Sequence, residues 1–152
     1  MAEVAVILGS KSDIKLWEDS KKYLEYFELS ADLHILSAHR TPDQVKELGS
    51  SARNRGYKVI IAAAGMAAHL AGALAANSDL PVLGVPLAGG IMDGMDALLS
   101  TVQMPAGVPV ATFAVGNAGM RNACVFAAQI LSLNNKDLEK RIKEFKEQGA
   151  RL

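Results

Sequence analysis

Three short polar segments hold most of the side chains able to do chemistry: Gly9-Ser10-Lys11-Ser12-Asp13, Ser37-Ala38-His39-Arg40-Thr41-Pro42 and Gly65-Met66-Ala67-Ala68-His69. In the second, His39 is the candidate acid/base, because an imidazole gains and loses a proton near neutrality. Arg40 offers a planar fork for bidentate contact with phosphate, and Ser37 adds a hydroxyl. The competing reading is that Thr41-Pro42 opens a helix and Arg40 points into solvent; the residues leave the two balanced. In the first segment, a glycine followed by serines at a helix start presents N–H groups and hydroxyls to a phosphate. Asp13 would repel that phosphate and suits ribose hydroxyls as an acceptor. The segment lacks the Gly-Lys-Ser/Thr ending of a Walker loop and is not a dinucleotide G-x-G-x-x-G. Taken alone, Ser12 or Asp13 reads as a helix cap. In the third segment His69 stands among Gly, Ala and Met, and taken alone it reads as a structural histidine. Its small neighbours would let a ligand approach the backbone.

The remaining candidates are weaker. His34 falls within an expected strand and reads as an edge or surface residue. Cys124 falls on an apolar helix and reads as inert core. Met66, Met92, Met95, Met104 and Met120 read as packing. Two histidines without carboxylates at ligand spacing argue against a zinc site.

The elements that must position these groups alternate. Residues 4–8 form an apolar run that suits a strand buried on both faces. A helix is expected after Asp13, with Ile14, Trp17, Tyr23 or Leu24, and Phe27 sharing a face. A strand over residues 32–37 follows. A helix then runs to about Arg55, with Thr41 as its N-cap, Pro42 at its first position and Gly56 at its C-terminus. Further strands are expected at residues 58–64, 81–85 and 109–115. Further helices are expected at residues 70–77, 95–101, 117–131 and 137–148. The helix at 117–131 reads as apolar on nearly every face, and the last is amphipathic, with i,i+4 pairs such as Glu139–Lys143. A Gly-rich loop at residues 87–94 is the candidate lid. This alternation predicts a three-layer α/β/α sandwich around an open, doubly wound parallel sheet of the flavodoxin-like kind, with a C-terminal helix. In such a sheet the three polar segments reach one edge, where ligands bind.

No linker, repeat or low-complexity stretch divides the 152 residues, so residues 1–152 read as one domain with a sizeable core. Hydrophobic residues make up 50 % and aromatic ones only 5 %, so the interior is expected to pack on small aliphatic side chains. Sixteen basic residues balance sixteen acidic ones. With no basic stripe among them, that argues against nucleic acid as the main partner and removes the net charge that keeps small proteins apart. One cysteine excludes an internal disulfide. Apolar runs fall short of a membrane span, and residues 1–8 are too short for a signal peptide. A soluble cytoplasmic protein, not bound to membrane, is expected.

GSKSD, SAHRTPD, AGMAAHLAG, LPVLGVP, LLSTVQMPAGVPVAT and a helix ending in AAQIL occur here in the order seen in PurE proteins. From Val4 to about Leu131 the chain resembles the class I PurE family of N5-carboxyaminoimidazole ribonucleotide mutases. Ala63 and Met66 stand where that family has glycines, and Ala71 where it has proline. Class II relatives, which carboxylate aminoimidazole ribonucleotide directly, have SAHK and AGRSN-type segments; Arg40 and the AAH segment fit class I.

The resemblance implies that Ser10, Ser37 and Arg40 hold a phosphate, that Asp13 meets the ribose and that His39 is the general acid/base. It sets Ser12, Gly65, Ala67, His69 and Leu70 around the substrate. It implies CO2 release from the N5 carbamate and recapture at imidazole C4, with no metal, ATP or redox cofactor. It also implies a homo-octamer, its contacts helped by the apolar helix at 117–131. Direct carboxylation and a non-enzymatic nucleotide-binding or signalling module remain the alternative readings.

Overall fold

The computed structural model describes residues 1–152. Strands β1 (Val4–Leu8), β2 (Ala31–Ile35), β3 (Val59–Gly65), β4 (Val82–Leu87) and β5 (Ala111–Thr112) form one sheet in the order β2-β1-β3-β4-β5. Every pairing is parallel. β1 and β3 are apolar throughout because helices cover both of their faces. Seven helices accompany the sheet: α1 (Ile14–Glu18), α2 (Lys22–Tyr26), α3 (Pro42–Ser51), α4 (Leu70–Asn77), α5 (Met95–Val102), α6 (Asn117–Ser132) and α7 (Lys136–Glu147).

Alternation along the strands sorts the core into two layers. Val4, Val6, Leu8, Ile61 and Val85 pack toward Trp17, Leu24, Met120, Cys124 and Ala127, on the face covered by α1, α2 and α6. Ala5, Ile7, Ile60 and Ala62 pack toward Val45, Leu48, Leu70 and Leu74 of α3 and α4 on the other. α5 joins this second face against β4, where Gly84 is required: a Cβ there would stand 2.6 Å from Thr101 Cγ2. α7 closes the outside of the first layer, with Phe145 against Tyr23, Tyr26 and Phe27. The expected sandwich, parallel sheet and C-terminal helix are all present.

Several expected boundaries move. The helix after Asp13 is two short helices, broken around Ser20, which is fully buried. The break lets Trp17, Tyr23, Leu24 and Phe27 all enter the core, while Ile14 stays exposed rather than sharing their face. Strand β2 stops at Ile35, with one further ladder bond from Leu36 N–H to the Leu8 carbonyl. Helix α3 ends at Ser51, and turns carry the chain to Gly56, whose φ is +93°. β4 runs past Val85 to Leu87. The strand expected over residues 109–115 shrinks to two residues. Beyond it only isolated bonds, Phe113 N–H to Gly84 O and Gly116 N–H to Pro86 O, hold the segment to β4. Pro109 has no N–H to give a ladder, which suits a short edge strand.

Thr41 occupies the N-cap position of α3 but does not cap it. Its hydroxyl instead accepts the Ser37 N–H at 3.0 Å and donates to the Ser37 carbonyl at 3.1 Å, bracing the 37–41 turn. In α6 the buried residues fall on one face, and Phe126 on another side is 40 % exposed. Asn135 caps α7 by accepting the N–H groups of Asp137 and Leu138. The Glu139–Lys143 pair forms at 2.7 Å.

Candidate active site at the switch in strand order

After β1 the chain turns to helices on one face of the sheet, and after β3 to a helix on the other. The carboxyl ends of these adjacent strands therefore part and leave a crevice. A cleft of about 430 Å³ occupies it. All the residues singled out in the three polar segments line this cleft: Ser10, Ser12 and Asp13 after β1; Ser37, His39 and Arg40 after β2; Gly65, Ala67, His69 and Leu70 after β3.

At the first wall Ser10, not Ser12 or Asp13, is the cap. Its Oγ accepts the Ser12 N–H at 3.3 Å and lies 2.9 Å from the Ser12 hydroxyl, closing a single 3₁₀ turn over Lys11–Asp13. Asp13 heads α1 without capping it. Burial raises the Asp13 carboxyl above the usual aspartate range, and hydrogen bonds from Ser12 and from the Ser10 backbone only partly oppose this. A carboxylate made costly by burial gains from any hydroxyl or N–H that donates to it.

At the second wall the Ser37 Oγ accepts the Arg40 N–H at 3.2 Å. This turn sets Arg40 at the cleft, exposed and in none of the protein's ion pairs. Its guanidinium is thus free to meet an anion. Across the cleft, His39 Nε2 lies 2.7 Å from His69 Nδ1, with the rings nearly perpendicular. One hydrogen occupies that gap, so one imidazole donates while the other accepts. His69 is therefore not a core histidine: it is exposed to the cleft, at the head of α4, with no capping role.

Sequence reasoning named Gly65, Ala67 and Leu70 at the substrate and the loop from Leu87 as a lid, but did not assign contacts to the rest of the apolar lining. Gly9, Ala38, Ala64 and Met66 complete the walls, and Leu87, Ala88 and Gly89 bring in the end of β4. Their one legible signal is position, each next to a strand end. Met66 is 65 % exposed with φ +52°, so it forms part of the rim and is not packing. Of the candidate lid only residues 87–89 reach the cleft; its tip, Ile91 and Met92, stands in solvent. The loop is folded, with Gly89 N–H on Asp93 Oδ1 and Ile91 N–H on Asp96 Oδ2, both at 3.0 Å.

Two other candidates lie outside the cleft. His34 sits on edge strand β2, with its Nε2 3.1 Å from the Tyr57 hydroxyl, and burial lowers its pKa. Tyr57 in turn donates to Asp32, and burial with that bond pushes it up to about 12. Cys124 is fully buried and its thiol is pushed up to about 12, which makes it inert.

The strand order and the cleft define a doubly wound parallel α/β protein of the flavodoxin-like kind, with anion- and proton-handling side chains at its switch point. The model of the AIR carboxylase family matches residues 3–151, and the chain belongs to that family. It is 44 % identical over 151 residues to the N5-carboxyaminoimidazole ribonucleotide mutase of Pyrococcus abyssi, covering 99 % of this chain and 86 % of the relative. It is 49 % identical over 144 residues to the enzyme of the same name from Bacillus subtilis, covering 95 % and 89 %. The crystal structure of Treponema denticola PurE superimposes with a TM-score of 0.85 at 26 % identity, over 97 % of this chain and 90 % of that one. No helix is long and apolar enough to cross a membrane.

Proposed function

We propose that the protein is an N5-carboxyaminoimidazole ribonucleotide mutase, an isomerase of purine biosynthesis, acting as a single catalytic domain over residues 1–152. The observation that carries this reading is the 2.7 Å contact between His39 and His69, inside a cleft that also holds Arg40 and Asp13. Ser10, Ser37 and Arg40 take the 5′-phosphate; Asp13, with Ser12 beside it, accepts from the ribose hydroxyls. The base then reaches the imidazole pair and the apolar stretch of Gly65, Ala67 and Leu70.

The reaction balances with one shuttled proton. His39 in its protonated form gives a proton to N5 as the N5–carboxylate bond breaks and CO2 leaves. The enamine-like ring then attacks the CO2 through C4, forming the new C–C bond. The C4 proton passes to His39, which is restored for the next cycle. His69 takes or gives the hydrogen between the two rings, so His39 can hold its proton at the ring nitrogen that the step requires. Small aliphatic walls favour this course, since they offer CO2 no nucleophile and admit little water.

The direct carboxylase reading differs in what must be supplied. Purified protein is given N5-carboxyaminoimidazole ribonucleotide without bicarbonate, and separately aminoimidazole ribonucleotide with bicarbonate at physiological concentration. A mutase turns over the first; turnover of the second alone would establish the carboxylase. Binding without turnover of either would leave a nucleotide-binding module. A cytoplasmic homo-octamer accompanies this reading. The balanced charge and the exposed Met95, Leu99, Val102 and Phe126 support self-association, and light scattering should give a mass several times 16.1 kDa. A clean monomer would refute it.

A further inference from the structure

The turn that presents His69 is held by a side chain that does not line the cleft. Ser100 lies on α5, and its Oγ accepts the Ala68 N–H at 2.9 Å. The same hydroxyl stands 2.7 Å from the carbonyl oxygen of Asp96, one helical turn earlier, and farther from those of Ala97, at 3.2 Å, and Met66, at 3.3 Å. A hydroxyl has one hydrogen to donate and lone pairs to accept. The short bond to Asp96 uses that hydrogen, which anchors the oxygen on α5 and leaves its lone pairs facing Ala68.

Two features give this bond weight. Ala68 is only 2 % exposed, so water does not readily replace a lost acceptor. Met66, two residues earlier, has φ +52°, a left-handed conformation that a residue with a Cβ keeps only when its surroundings impose it. His69 follows Ala68 directly, and its ring bonds to His39 rather than to its own helix. The orientation of that ring thus depends on where the turn is held.

We propose that Ser100 is a positioning residue: by accepting the Ala68 N–H it holds the 66–69 turn so that His69 Nδ1 meets His39 Nε2. It touches neither nucleotide nor reacting atoms. The same turn of α5 also holds the loop over residues 87–94, because Asp96 Oδ2 accepts the Ile91 N–H. A displacement of α5 would therefore disturb both the 66–69 turn and that loop. The inference rests on the reading of the two imidazoles as the proton-handling pair.

The test compares Ser100→Ala, which removes the acceptor, with Ser100→Thr, which keeps it. Thr101→Val is the control: its hydroxyl donates to the Ala97 carbonyl at 2.7 Å within α5 and makes no bond to the turn. Three quantities are read: the imidazole 15N shifts of His39 and His69 without substrate, the thermal midpoint, and kcat and KM with the N5-carboxylated nucleotide. In Ser100→Ala the 15N signature of the shared hydrogen should vanish. Its kcat should fall by up to about tenfold, no more than loss of the His69 ring itself, with KM little changed. Ser100→Thr should restore both, and Thr101→Val should disturb only the midpoint. Unchanged histidine shifts in Ser100→Ala, or an equal loss in Thr101→Val, overturns the proposal. If Ser100→Ala does not fold, Ser100→Cys carries the same expectations, because a thiol keeps the size but accepts weakly. If the shifts change as expected while the wild type turns over no N5-carboxylated nucleotide, the positioning role stands and the mutase reading falls.

Discussion

Replacing the two cleft histidines singly and together separates a coupled pair from two independent groups. Both rings face the cleft, and the hydrogen bond of each is to the other, at 2.7 Å. Each asparagine substitution therefore removes one partly exposed hydrogen bond and should cost at most about 0.5–1.5 kcal/mol of stability. Loss of a general acid/base lowers the rate by roughly 10²–10⁴, or about 2.7–5.4 kcal/mol of barrier, and His39→Asn should fall in that range. His69→Asn leaves His39 in place without its partner. The loss should be near one hydrogen bond of orientation, up to about tenfold in kcat at ~1.4 kcal/mol per decade. If the rings act as one unit, the double variant should be no slower than His39→Asn alone, since groups acting together are not additive. The assay follows formation of the 4-carboxylated nucleotide by its absorbance, with calorimetry on aminoimidazole ribonucleotide without bicarbonate, which has no carboxylate to move, and thermal melts as controls. A double variant slower by the product of the two single effects would refute the coupling. Wild-type turnover in His69→Asn would refute the part given to that ring.

Arg40→Ala should weaken nucleotide binding by roughly 2–5 kcal/mol, as for truncating one side of a charged contact, and calorimetry with and without the 5′-phosphate should place the loss on the phosphate. Unchanged affinity would remove Arg40 from the site. Asp13→Asn should raise the thermal midpoint of the empty protein at neutral pH while weakening ribonucleotide binding. The Asp13 pKa is raised by folding, so its stability contribution is fully present below the unfolded value of about 4 and is lost as pH rises through the folded value. The midpoint gain from Asp13→Asn should accordingly shrink toward pH 4; a gain independent of pH would show that the buried carboxylate is not its source.

Much of this arrangement was legible in the order of residues. The apolar run at residues 4–8 and the run that became β3 have the composition of strands buried on both faces, and each is followed at once by turn chemistry. That local pattern is enough to put three polar segments on one edge of a parallel sheet. Thr41-Pro42 marks the start of α3 because proline's fixed φ and missing N–H suit the first helical turn. What sequence neighbours could not decide were relations between distant segments. His69 among Gly, Ala and Met has the local look of a packed histidine. It becomes a cleft residue because β1 and β3 lie side by side while β2 sits on the far side of β1, bringing the ends of β2 and β3 within reach of each other. Ser100 resembles any serine in a helix until α5 packs on β4 and brings its hydroxyl to Ala68. The break near Ser20 follows from the need to bury Trp17, Tyr23 and Phe27 together, and the brevity of β5 from its place at the sheet edge. Periodicity and turn chemistry act over a few residues and are written in the chain. Contacts between segments depend on strand order and packing, which only the folded core decides.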